Sequence, residues 1–255
     1  MEKVIRKMTE KIDFKNTIQD TVVAYFDLEF CNERISRHNV PIAIGVSYRL
    51  GEKEIGTYDA LIWYSDEVKL WQEQLDYIGY SEGLLQQKGK TMEQVTKELF
   101  DCHEKYQPEY YISFGKQDED LLKKFVSQSL LAWTFCDAIQ FLPKELSMKY
   151  DISLEKYAYI CQITFVHEFD PLEDARSLGT IVFRVLKGQT DEARRREVAE
   201  EYNKKMFLIE YQNKKQAYEY LSALGELTPR QRDKLESHRS YLNKNHKQYL
   251  IYTEE

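Results

Sequence analysis

Residues 23–33, VAYFDLEFCNE, set two carboxylates inside an apolar, strand-like run. The β-branched and aromatic residues around Asp27 and Glu29 suit a buried strand. Side chains at i and i+2 of a strand share a face, so these two acids stand side by side. Two like charges about 4 Å apart repel by roughly 1 kcal/mol in water and about 4 kcal/mol at an effective dielectric near 20. A divalent cation between them removes that cost, and Mg²⁺ and Mn²⁺ prefer carboxylate oxygens. The alternative is a strand end where both acids face water.

The elements that follow form an alternating series. PIAIGVSYRL (residues 41–50) and EIGTYDALIWY (residues 54–64) read as two more strands, with a hairpin turn between them at RLGEKEIG. Three consecutive antiparallel strands result. A helix is expected from SDEVKLWQEQLDYIG, capped at Ser65/Asp66, and a second from TMEQVTKELFDCHEKY, where Thr91 and Gln94 form a capping box. Val95, Leu99 and Phe100 give that second helix an apolar face. EYYISFG is a short buried strand and DEDLLKKFVSQSL a helix; WTFCDAIQFL runs from strand to helix. SLEKYAYICQI is a helix capped by Ser153, and DPLEDARSLGTIVFRVLKG another that ends at Gly188. This order describes an α/β fold with one mixed sheet flanked by helices.

The composition sets outer limits. A chain of 255 residues with 42% hydrophobic and 31% charged residues can bury a sizeable core. The formal net charge of −7 excludes coating of long nucleic acid by bulk attraction, so any such binding needs local basic groups, metal or a partner. Cys31, Cys102, Cys136 and Cys161 lie far apart with no CxxC pair, which excludes the usual zinc spacing and reads as reduced, buried thiols. The charged N-terminus, MEKVIRKMTEKIDFKN, does not have the pattern of a secretory signal, and no apolar run is long enough to span a membrane. The expected location is cytoplasmic, with no membrane partner.

The chain changes character after Gly188. Residues 189–255 are highly charged and helical, with sparse apolar positions such as Met206, Ile209, Tyr218 and Leu221. Two or three helices are expected, broken near Gly225 and at Thr228-Pro229, where proline suits the first helical position. The expected domains are therefore 1–188 and 189–255. The second is either a solvated extension or a contact surface for a protein partner, self-association or nucleic acid, with Arg194, Arg195 and Arg196 as its basic cluster.

Further acids arrive at the starts of later helices. Asp118 follows the EYYISFG strand. Asp174 lies on a helix whose Leu178 and Ile181 fall at i+4 and i+7, so it turns inward. An acid on an apolar face is costly unless paired or metal-bound, although acids at helix starts are often caps.

Taken in order, FDLEF, SFGKQDEDLL and DPLEDA resemble the three motifs of the DnaQ-like 3′–5′ exonucleases, the DEDD superfamily. The resemblance runs over roughly residues 20–187, and FGKQD is similar to the Trp-Gly-x-x-Asp variant of an RNA-trimming branch. It implies an RNase H-like fold and metal ligands at Asp27, Glu29, Asp118 and Asp174, with Asp120 the weaker second-motif choice. It also implies two ions, Mg²⁺ or Mn²⁺, clamping an in-line displacement at the 3′ end of RNA or single-stranded DNA. The backbone at Leu28 and Phe30 would cradle the terminal nucleotide, and Phe30 would stack on its base.

Some positions depart from the pattern. The branch with a general-base histidine carries it five residues before the last acid, which is Phe169 here; the branch with tyrosine carries it four before, which is Asp170 here. His167 stands two residues earlier, either reaching the attacking water or packing as an ordinary histidine. Loss of a general base costs about 10²–10⁴-fold, which leaves measurable activity to a metal mechanism. Cys31 replaces a frequent threonine. The expected activity is therefore 3′–5′ exonuclease, with a non-cleaving binder of nucleic acid or protein as the alternative.

Overall fold

The computed structural model describes residues 14–65, 68–125, 133–149, 151–165 and 169–253. The chain forms two compact units, one ending at Glu192 and the other starting at Ala193.

The first unit is built on a five-stranded sheet. Its strands are β1 (Val22–Asn32), β2 (Asn39–Leu50), β3 (Lys53–Leu61), β4 (Tyr110–Ser113) and β5 (Phe135–Asp137), in the order β3-β2-β1-β4-β5. β1 pairs antiparallel with β2, and β2 with β3; β4 and β5 add in parallel beside β1. This is the mixed sheet expected from the element order, in the RNase H-like arrangement that the resemblance implies. Its helices are α1 (Phe14–Asp20), α2 (Gln72–Tyr77), α3 (Glu82–Lys88), α4 (Met92–Tyr106), α5 (Lys116–Phe125), α6 (Leu142–Glu145), α7 (Leu154–Ile160) and α8 (Pro171–Leu186).

Alternation along β1 assigns its two faces. Ala24, Phe26 and Leu28 join Ile44, Val46 and Tyr48 of β2, Val95 and Leu99 of α4, and Leu121 and Leu122 of α5 in the main core. Tyr25, Asp27 and Glu29 take the opposite face, which α8 covers. α8 buries Ala175, Leu178, Ile181, Val182 and Val185, the stripe a 3.6-residue period dictates. The Thr91–Gln94 capping box of α4 and the Ser153 cap of α7 form as expected.

α2 differs from the sequence expectation. It begins after Trp71, not at Ser65; Asp66 lies outside the described residues. The cause is tertiary. Leu70 bridges Glu33, Trp71 N–H donates to Asn32 O at 3.1 Å, and Arg34 N–H donates to Lys69 O at 2.7 Å. Residues 69–71 are thereby held along the end of β1 and cannot coil. Leu70 thereby enters a second, smaller core with Cys31, Val40, Ile42, Leu75, Ile78 and Leu85.

The second unit contains α9 (Glu192–Ser222) and α10 (Pro229–Thr253), the latter opened by Thr228, whose hydroxyl accepts from Gln231 N–H. The two helices run antiparallel: Phe207 meets Tyr252, Tyr211 stacks on Tyr249 at 4.1 Å, and Tyr211 Oη lies 3.1 Å from His246 Nδ1. Aromatic pairs thus do much of the work that aliphatic residues do in richer cores. No described helix is long and apolar enough to cross a membrane.

Candidate metal centre

β1 delivers the first two acids. Asp27 and Glu29 project from the α8 side of the central strand, both partly exposed. A register shift follows between Glu29 and Phe30, where β1 bends away from simple alternation.

α8 delivers the third. Asp170 caps this helix, accepting from the N–H groups of Leu172 at 3.0 Å and Glu173 at 3.2 Å, and Pro171 takes the first helical position. The helix start rests on Gly45, the register partner of Asp27 on β2. A Cβ at Gly45 would lie 2.1 Å from Leu172 N and 2.3 Å from Pro171 C, so only glycine lets the helix settle there. Further along, Arg49 Nη1 donates to Thr180 Oγ1 at 2.8 Å, and the Arg176 guanidinium grips Glu54 through Nε at 3.0 Å and Nη2 at 3.2 Å. So held, the buried Asp174 offers a carboxylate oxygen that lies, with one from Asp27 and one from Glu29, in a group all within 4.8 Å of one another.

Asp118 arrives from the other side. β4 ends at Ser113, and Gly115 turns the chain with φ +110°, a conformation closed to most side chains. Ser113 Oγ donates to Gly115 O at 2.8 Å, and Asp137 accepts from Gly115 N–H at 3.0 Å, so the turn is tied to β5. Asp118 is then buried in the first turn of α5, while Asp120 faces solvent near Lys116.

The electrostatics show how costly the arrangement is without a cation. Asp27 is held well above the usual carboxylate range by burial, then by the charges of Asp118, Asp174 and Glu29, against which the Leu28 amide works. Glu29 is pushed up to about 7 by burial and the charges of Asp174 and Asp170. Asp118 is pushed up to about 7 by burial and the charges of Glu29 and Asp137. Carboxyl oxygens converging at this spacing suit hard, oxygen-seeking divalent ions. The three acids that converge, Asp27, Glu29 and Asp174, therefore fit such a group; Asp118 stands outside that group of three, and its charge acts on Asp27.

The remaining sequence candidates are distributed as follows. Leu28 points into the main core on the opposite face, 3% exposed, so only its main chain is left for a ligand. Phe30 is partly buried against that same core. His167 lies outside the described residues. Phe169 adopts φ +52°, packs its ring edge-on against Tyr77 at 5.5 Å, and joins the rim of the second core. Cys31 is buried in that core, its thiol 3.5 Å from Trp71 O. Sequence reasoning missed Gly45 and Tyr80. A glycine within a strand pattern is a readable sign of close backbone approach. Tyr80, whose hydroxyl donates to Phe169 O at 2.8 Å, left no such sign across 89 residues.

No family model and no curated protein matches the chain. Solved structures do. A 3′-exonuclease described for 3′-end specific recognition of histone mRNA stem-loop aligns with a TM-score of 0.57 at 13% identity, covering 73% of this chain and 70% of that one. The nuclease domain of 3′hExo, a DEDDh family member bound to rAMP, aligns at 0.52 and 13% identity over 69% of this chain and 97% of its own. E. coli Exonuclease I in complex with a dT13 oligonucleotide aligns at 0.51 and 11% identity over 66% and 41%. The chain thus shares its fold, an RNase H-like mixed sheet flanked by helices, with a DEDDh 3′-exonuclease and with Exonuclease I.

Proposed function

We propose that this protein is a metal-dependent 3′–5′ exonuclease acting on RNA or single-stranded DNA ends. The observation that carries the reading is the convergence of Asp27, Glu29 and Asp174 within 4.8 Å, with Asp118 buried and its charge acting on Asp27. In this reading Asp27, Glu29, Asp118 and Asp174 would together hold two ions, Mg²⁺ or Mn²⁺. When bound, such a pair supplies a hydroxide nucleophile and stabilises the leaving 3′ oxygen. The chain's own contribution is to hold four carboxylates in place before the ions arrive and to release their protons on binding. The main chain at Leu28 and Phe30 borders the terminal nucleotide, and His167 is the candidate base. The net charge of −7 favours short single-stranded ends over long duplexes.

Incubation of 5′-labelled RNA and DNA single strands with Mg²⁺ or Mn²⁺ tests this. Stepwise shortening from the 3′ end, lost in Asp27→Ala, is the expected result. Intact oligonucleotide with the wild type, or equal shortening by both proteins, contradicts it.

The packing of Phe169 favours a second reading, a binder that holds nucleic acid or protein without cleaving it. Retention of labelled strands without shortening selects that reading. Residues 189–255 are the surface we assign to a protein partner or to self-association, supported by the exposed Met206, Ile209, Leu250 and Ile251. Light scattering of the full chain tests the self-association.

A further inference from the structure

We infer that Tyr80 is a positioning residue for the acidic centre: by holding the Phe169 carbonyl, its hydroxyl fixes the turn that starts α8 and keeps Asp174 beside Asp27. The inference deepens the nuclease reading and rests on it for its functional consequence. Phe169 is a bulky residue at φ +52°, a conformation that persists only where its surroundings impose it. Two of the contacts among the described residues act on it directly. The Tyr80 hydroxyl donates to Phe169 O at 2.8 Å, and the Tyr77 ring meets the Phe169 ring at 5.5 Å and 60°. The next residue, Asp170, caps α8, and Asp170 O accepts the N–H of Asp174 at 3.0 Å. A relaxed turn at Phe169 would therefore loosen the cap and then Asp174.

Tyr80 lies within electrostatic reach of the acidic centre. It packs on the second core, to which Cys31, two residues beyond Glu29 on β1, also belongs. Burial, then the charges of Glu29, Asp170, Asp59 and Asp27, keep its hydroxyl protonated, so it stays a donor. Neither Tyr77 nor Tyr80 belongs to an acidic motif; Tyr77 ends α2 and Tyr80 lies in the turn after it.

The test uses Tyr80→Phe in the full chain, which keeps the ring and removes one oxygen. In metal-free protein, hydrogen exchange at the amides of Leu172, Glu173 and Asp174 should quicken about fivefold to tenfold, the scale of one lost hydrogen bond, while amides of β1 and β2 keep their rates. In calorimetry with Mn²⁺ alone, affinity should fall by a similar factor. Turnover should fall with KM unchanged. Phe169→Asn in the Tyr80→Phe background should slow exchange again, because asparagine tolerates the left-handed conformation. Unchanged exchange at residues 172–174, or quickening spread evenly over the sheet, overturns the inference. Exchange is read without metal, so it decides the role of Tyr80 even if the wild type neither binds Mn²⁺ nor cleaves.

Discussion

Gly45 lies directly under Leu172: a Cβ on the former would stand 2.1 Å from the amide nitrogen of the latter. Gly45 is also the register partner of Asp27. The absence of one side chain on β2 is thus what allows α8 to bring Asp174 to the strand acids. Gly45→Ala should push the helix start off the sheet. The expected cost is about 1–3 kcal/mol of stability, as for other overpacked sites, together with a loss of Mn²⁺ affinity of at least about tenfold. Denaturant melts and calorimetry check both; a variant with wild-type affinity would show that α8 is placed by other contacts.

The acids make the metal-free protein sensitive to pH. Glu29 and Asp118 are each held up to about 7, above their ordinary values, so both carry protons more tightly folded than unfolded. A group raised in this way contributes stability that is fully present below its unfolded pKa and is lost as pH rises through the folded one. The melting temperature of metal-free protein should therefore fall as pH rises through about 7. Asp27→Asn should flatten that fall, and saturating Mn²⁺ should abolish it. Scanning fluorimetry from pH 5 to 9 measures it; a melting temperature that rises over this window contradicts the electrostatics of the pocket.

Phe169 stands where the branch that the sequence motifs resemble carries a histidine, yet its ring is engaged by Tyr77 and the rim of the second core. An imidazole placed there should follow the same path. Phe169→His should therefore change the cleavage rate by less than about fivefold, against the 10²–10⁴-fold that a well-placed general base supplies. A gain of about a hundredfold would mean that the ring can swing to the attacking water.

The strands and the order of the acids were legible because they are local. Alternation around Asp27 and Glu29, the run of three hairpin strands, and the stripe Asp174–Leu178–Ile181 each follow from side-chain periodicity. Asp118 could be separated from Asp120 only by the motif; the structure then buries the first and exposes the second. What escaped was set by distant contacts. The start of α2 depends on Leu70 reaching Glu33, and no local pattern marks that bridge. The left-handed turn at Phe169 depends on Tyr80, and phenylalanine is a residue from which such a turn is not expected. Gly45 was readable as a strand glycine, but the helix resting on it was not.

Calorimetric titration of the wild type and Asp27→Asn with Mn²⁺ tests the convergence of acids most directly. Two ions should bind the wild type, and binding to Asp27→Asn should be weakened by at least about a hundredfold, since in the proposed reading Asp27 is one of the carboxylates that would hold them. No heat with the wild type, or equal binding by the two proteins, would contradict it.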